Sequence, residues 1–205
     1  MKAGVKILGF IFAFVSLAFA FSLHGSTKGF PKKAPEIEGL LTDEGKPFSL
    51  KELKGKVILI TYGYTQCPHV CPTITAFLKQ VETQLNKKGY KDKYKIIFIT
   101  VDPKDDTVEK LREYKKKRGF ADWIFLTGDK EKLKKVWKNY GVYVKDKGIM
   151  EMKHQNHTMK HRMIDHTAKL TVINQKGEIV EEFKSMYLPV EDIVKDVSYL
   201  IEKGE

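Results

Sequence analysis

The sequence predicts an α/β domain, a mixed sheet covered by helices on both faces. Two internal runs, residues 57–62 and 95–101, are apolar and β-branched almost throughout, as strands buried on both sides must be. Helical-period stretches follow each of them, and the chain closes with a hairpin pattern and a last amphipathic stretch. Its 205 residues, less an apolar leader, amount to one domain with ample length for a single core.

The elements are expected in the following order. Lys2 and Lys6 precede an uncharged stretch over 7–23 that is apolar all round and lacks the polar face of a core helix. Two readings fit residues 1–23. One is a cleaved signal using Ala18-Phe19-Ala20; the other is a retained anchor, since the run approaches the ~17–25 residues of a spanning helix. Phe21 and Leu23 carry the run past the candidate cleavage point and favour the anchor. Either way the remainder is expected on the extracytoplasmic (periplasmic) side. Residues 24–35, rich in Gly, Ser, Lys and Pro without periodicity, read as a linker, and the domain as 36–205.

Within the domain, Asp43-Glu44-Gly45-Lys46 forms a turn between two short strands, and residues 49–53 one helical turn. After the first long strand, Ile74, Phe77, Leu78, Val81 and Leu85 mark a helix over 72–85. After the second, Thr107 caps a helix with Val108, Leu111 and Tyr114 inside, stopped at Gly119. Residues 123–126 form a short strand, and Asp129 caps a helix running to Tyr140. Strands at 168–173 and 178–183 flank the turn Asn174-Gln175-Lys176-Gly177, and a helix over 189–201 buries Val190, Ile193, Val194, Val197 and Leu200.

Net charge is +11, yet the lysines alternate with glutamates, as at Glu109-Lys110 and Glu131-Lys132, and no aromatic-interleaved basic stripe occurs. This is a solvated surface, and no nucleic-acid partner is expected.

The only two cysteines, Cys67 and Cys71, lie at the junction of the first long strand and the first helix. That placement raises a thioredoxin-like fold above other α/β choices. It also puts two thiols at an exposed strand end near a helix N-terminus, where ionisation is eased. A disulfide closing so small a loop would staple almost nothing, so a functional pair is the better reading. Three residues separate them where a general dithiol oxidoreductase of this fold usually has two, and no proline falls between Pro103 and Pro189 to face the pair. The loop before the 168–173 strand instead reads Ile164-Asp165-His166-Thr167. Two thiolates and an imidazole make a soft ligand set that suits copper, with zinc as the competitor.

Residues 62–72, Tyr-Gly-Tyr-Thr-Gln-Cys-Pro-His-Val-Cys-Pro, then Ile99-Thr100-Val101-Asp102-Pro103-Lys104-Asp105-Asp106-Thr107 and then Asp165-His166-Thr167 closely resemble the SCO/SenC family. The resemblance runs from about Glu36 to the C-terminus. It implies a membrane-anchored, thioredoxin-like copper chaperone that binds one copper ion, Cu(I) or Cu(II), through Cys67, Cys71 and His166. It further implies delivery to the binuclear copper site of cytochrome c oxidase. The copper-bearing subunit of that oxidase would be a partner, beside other copper chaperones or a thioredoxin-like reductant. Asp102 matches an acidic position with a supporting role; its plainer reading is a turn carboxylate before Pro103.

The alternative is an enzyme, a membrane-tethered thiol–disulfide reductase using Cys67 and Cys71 as a catalytic redox pair to keep the acceptor's cysteines reduced. Oxidation of that pair to a disulfide would abolish metal binding and couple delivery to redox state. The chaperone reading, not an enzyme, is preferred.

Outside the family pattern, Met150, Met152, His154, His157, Met159, His161 and Met163 crowd into one window before His166. Counted through His166, the window holds four of the six methionines and four of the six histidines. With a turn at Gln155-Asn156 the seven would share one face of a hairpin. Helical spacing fits Met150, His154, His157 and His161. As thioether and imidazole donors they form an auxiliary copper-capturing surface or, in a third reading, a copper store or sensor. His69 and His24 receive no role.

Overall fold

The computed structural model describes residues 21–68, 70–154 and 157–204, and for residues 151–154 and 157–161 the backbone alone. The strands are β1 (Lys32–Lys33), β2 (Leu40–Thr42), β3 (Val57–Gly63), β4 (Tyr94–Thr100), β5 (Ile124–Gly128), β6 (Val144–His154), β7 (His157–His166), β8 (Leu170–Ile173) and β9 (Glu178–Phe183). The helices are α1 (Val70–Lys87), α2 (Val108–Arg118), α3 (Lys130–Asn139) and α4 (Val190–Lys203), with a 3-10 turn at Leu50–Leu53.

Seven strands form one mixed sheet in the order β1-β9-β8-β3-β4-β5-β2, parallel at β3–β4 and β4–β5 and antiparallel elsewhere; β6 and β7 form a separate ribbon. Every residue of β3 is buried, as its unbroken apolar run requires. Its side chains alternate between two cores. Ile58, Ile60 and Tyr62 pack with Leu133, Val136 and Trp137 of α3; Val57 and Leu59 pack with Ile74, Leu78 and Val81 of α1 and Ile193 and Val197 of α4. This is the expected thioredoxin-like α/β arrangement.

The expected caps form. Thr107 accepts from the Lys110 amide, Gly119 closes α2 in the left-handed region at φ 69°, and Asp129 accepts from the Glu131 and Lys132 amides. Two boundaries differ. Helix α1 starts at Val70, so Cys71 sits inside its first turn, where Pro72 costs no hydrogen bond. The stretch read as a linker at 24–35 is built into the fold. Ser26 pairs with Glu182, and Lys32–Lys33 form β1 on the edge of β9. His24, expected in that linker, brings its Nδ1 within 2.6 Å of buried Asp196, and the Gly25 amide donates to buried Glu181 at 2.8 Å. Both partners lie more than 150 positions away, beyond the reach of any local pattern.

Phe21 stacks on Tyr199 and Leu23 packs on the α1/α4 core, so the end of the apolar leader meets the domain directly. Residues 1–20, which hold most of the expected anchor or signal, lie outside the described residues. No helix among the described residues is long and apolar enough to cross a membrane.

Candidate metal centre

The sheet topology brings the cysteines and His166 together. Strand β8 runs antiparallel to β3 with Leu170 opposite Thr61, so the segment entering β8 lies beside the C-terminal end of β3, where the cysteine loop begins. Strand β7 ends at His166, and the turn into β8 is closed by Thr167, whose amide donates to the Tyr143 carbonyl and whose hydroxyl accepts from the Tyr143 amide.

The His166 Nε2 stands 3.8 Å from the Cys71 sulfur. Its Nδ1 lies 3.2 Å from the Thr167 carbonyl, which can only accept, so the proton belongs on Nδ1 and the Nε2 lone pair faces the thiol. Cys67 and Cys71 carry no disulfide, and the Cys67 sulfur accepts from the Cys71 amide at 3.4 Å. Among the described residues no three His, Cys, Asp or Glu side chains already form a closed metal cage. What exists is a preset imidazole–thiol pair with the second sulfur beside it, on the loop just ahead of α1 and against the Cys71 amide.

The expectation of two exposed, easily ionised thiols is corrected for Cys71. It is buried, 2 % exposed. Its hydrogen bond with Cys67 and then burial push its thiol well above the ordinary value, outweighing the helix N-terminus. Such a thiol keeps its proton until a soft cation displaces it.

Four neighbours hold the centre. Tyr64 is buried, its hydroxyl accepts from the Ile164 amide, and its ring meets His166 edge-on at 6.2 Å, tying the cysteine loop to β7. Gly63 leaves room for the sulfur: a Cβ there would lie 2.8 Å from Cys71 Sγ and 2.9 Å from the Phe98 ring. Gly63→Ala is therefore expected to cost about 1–3 kcal/mol by overpacking and to loosen metal retention by displacing Cys71. A thermal melt and a chelator competition check this; wild-type values in both would show that the site has slack.

Asp106, 1 % exposed, accepts from the Thr65 amide, the Thr65 hydroxyl at 2.6 Å and the Thr100 hydroxyl at 2.6 Å, and so pins the loop two residues before Cys67. Burial raises its carboxyl to about 6. Arg162 of β7 reaches Asp102 at 3.5 Å and Asp105 at 3.7 Å and donates to Asp146, tying the ribbon base to the turn after β4. Sequence reasoning passed over both roles. In sequence Asp106 is one of three aspartates in the stretch 102–106, and Arg162 is one cation among many; only the fold supplies their partners.

Asp102 proves to be a turn residue and more. Its carbonyl accepts from the Asp105 and Asp106 amides, its side chain is 2 % exposed, and burial raises its carboxyl against the pull of Arg162. A cavity of about 900 Å³ opens beside it, lined by Val101, Trp137, Tyr143 and Arg162 among others; neither cysteine borders it. The His69 position lies outside the described residues.

The Met/His window adopts the hairpin, not the helix. Met150 pairs with His161, Met152 with Met159, His154 with His157, and Met163 with Gly148, past a register shift between Asp146 and Gly148.

The SCO1/SenC family profile matches residues 38–202. An SCO2-like protein of Rickettsia typhi is 33% identical over 154 residues, covering 74% of this chain and 70% of that protein. One of Rickettsia conorii is 31% identical over 144 residues, 70% of this chain and 66% of its own length, so the match spans about two thirds of these relatives. Among solved structures, ScoI of Bradyrhizobium japonicum with copper bound is similar at a TM-score of 0.67 and 30% identity, covering 82% of this chain and 99% of that one. With cysteine loop, acidic turn and histidine loop gathered at one sheet end and the profile spanning nearly the whole domain, the chain belongs to the SCO1/SenC family.

Proposed function

We propose that this domain carries one copper ion on Cys67, Cys71 and His166 and hands it to the binuclear copper site of cytochrome c oxidase, through that enzyme's copper-bearing subunit. Residues 1–23 tether it on the extracytoplasmic side. The observation that carries this reading is the approach of His166 Nε2 to Cys71, with Nδ1 committed to a carbonyl. A lone pair held there could also serve disulfide exchange by taking the Cys71 proton; set beside two sulfurs as a third donor, it completes a soft metal-ligand set, and that is the use proposed. Two soft sulfurs and one imidazole fit Cu(I), and the copper-bound ScoI relative supports that cargo.

Loading replaces thiol protons with copper, one proton released for each thiolate bond formed. Release runs by ligand exchange, each bond to Cys67 or Cys71 giving way to one from the acceptor, with no net electron transfer. Asp106, Tyr64 and the Arg162–Asp102 pair act as positioning groups.

His166→Ala is the test. Loss of groups that merely orient a ligand costs about 10–100-fold in metal affinity, so losing the imidazole itself should cost at least as much. Disulfide exchange by Cys67 and Cys71 should persist. Unchanged Cu(I) affinity in a chelator competition would remove the third ligand and the proposal with it.

A further inference from the structure

The ribbon β6–β7 holds a second set of soft donors that the centre does not use. Directly paired residues of an antiparallel ribbon share a face with Cβ atoms about 4.5–5.5 Å apart, and like-facing rungs repeat every ~7 Å. The three rungs Met150/His161, Met152/Met159 and His154/His157 thus set three thioethers and three imidazoles on one face, and Met163 adds a fourth thioether at the base. The intervening rungs hold Glu151 with Lys160, Lys153 with Thr158 and Ile149 with Arg162. Every charged residue between Met150 and Met163 therefore falls on the opposite face.

Strand pleating also decides how this face relates to the centre. On β7, Arg162, Ile164 and His166 share one face; Arg162 reaches Asp102, Ile164 is buried and His166 reaches Cys71. Positions 157, 159, 161 and 163 share the other face with Asp165, which is exposed. Across the ribbon Met150 is 48 % exposed and Ile149, on the Arg162 face, 70 % exposed, so from these rungs outward the ribbon stands clear of the domain on both faces. At the ribbon base, then, the strand face of β7 that carries position 163 is opposite the one that carries Arg162, Ile164 and His166. By register, positions 150, 152, 154, 157, 159, 161 and 163 form a group on the strand face opposite that of His166, apart from Cys67, Cys71 and His166.

Thioethers are neutral, soft and proton-free, and favour Cu(I) over Cu(II) or Zn(II); imidazoles accept either copper state. An ordinary apolar ribbon face would be packed against a core, and this one carries histidines on two of its three outer rungs. We propose that the Met/His face of the β6–β7 ribbon binds Cu(I) at a second site, separate from Cys67, Cys71 and His166, and serves as a capture surface at the outer end of the strand that leads to His166. Capture itself stands on the ribbon's donors alone; onward transfer to the cysteines rests on the function proposed above. Copper stays Cu(I) throughout, and the thioethers release no proton on binding.

The test uses the reduced full chain in detergent, titrated anaerobically with Cu(I) against a Cu(I) chelator. Three variants are compared with the wild type: Cys67→Ser/Cys71→Ser; Met150→Leu/Met152→Leu/Met159→Leu/Met163→Leu; and both sets combined. Leucine keeps the volume of methionine, so the ribbon should persist. The double serine variant should retain at least one Cu(I) equivalent that the combined variant lacks, and the leucine variant should lose that equivalent while keeping the cysteine-bound one. A double serine variant holding no Cu(I), or a leucine variant binding as much as wild type, overturns the proposal. Loss of the cysteine-bound equivalent alone would count against the centre and leave the ribbon standing. An independent reading on the unaltered chain is the methyl carbon shift of each methionine on adding Ag(I). Met150, Met152, Met159 and Met163 should move while Met186, packed against the α1/α4 core, stays still. Four unmoved methyls would sink the second site without any mutation.

Discussion

Asp106→Ala should lower stability by about 2 kcal/mol at pH 7 and by more near pH 4, and should weaken copper retention about tenfold through the cysteine loop. The carboxylate holds three donors, the Thr65 amide and the Thr65 and Thr100 hydroxyls, while the Asp106 carbonyl accepts from Thr127. Truncation leaves the Thr65 amide without its partner, two residues before Cys67. The pH dependence follows from burial, which raises the carboxyl from 3.8 to about 6. Between those values the folded state keeps a proton that the unfolded chain has lost. The group's contribution is therefore full below the unfolded value and declines as pH rises, by about 1.4 kcal/mol per pH unit inside the window. The gap between wild type and variant should be widest near pH 4 and narrow by about 3 kcal/mol by pH 7. Urea midpoints at pH 4, 5.5 and 7 read it directly, and a gap that widens with pH would contradict the burial argument. Asp106→Asn, keeping the shape and one acceptor oxygen, should recover part of the stability at pH 7.

Lys169→Met should cost about 3–5 kcal/mol, the penalty for stranding one member of a buried ion pair. Lys169 is 2 % exposed, although it sits three residues after His166 in a strand-entry segment. Its ammonium donates to the Tyr140 carbonyl and to buried Glu182, and burial, the largest cause, lowers its pKa against the pull of Glu182. Methionine preserves the stem's packing but removes the charge and both hydrogen bonds, leaving Glu182 with the more distant Lys184 at 3.6 Å. Lys169→Met/Glu182→Leu should regain most of the loss, since an apolar pair of similar volume replaces the ions without a desolvation cost. A double variant as unstable as the single would show that the bond to Tyr140, not the ion pair, carries the stability. Guanidinium denaturation of the three chains distinguishes these outcomes.

The main elements could be read locally because their causes are local. A buried strand must be apolar on both faces, which exposes residues 57–62 and 95–101 in the sequence; Thr107, Gly119 and Asp129 mark helix ends because each satisfies orphaned backbone groups at its own position. The cysteine spacing and the Asp165-His166-Thr167 loop were likewise visible. The supports of the site were not. Asp106 answers to Thr65, Arg162 to Asp102 and Asp146, and His24 to Asp196. Each pairing crosses the fold, and a charged residue gives no sign in sequence of which distant charge will meet it.

The chain's own order of residues determined the α/β class, the two sulfurs at a strand–helix junction and the alternation of Met and His along β6 and β7, all of which follow from backbone periodicity. The folded structure alone decided that Cys71 is buried and proton-retaining, because desolvation and the partner thiol act only once the core closes. It alone decided that the Arg162, Ile164 and His166 side of β7 is the one that meets the domain, because which side of a ribbon docks depends on where distant partners such as Asp102 and Cys71 lie. Periodicity tells a strand that it has two faces; only packing tells it which one is inside.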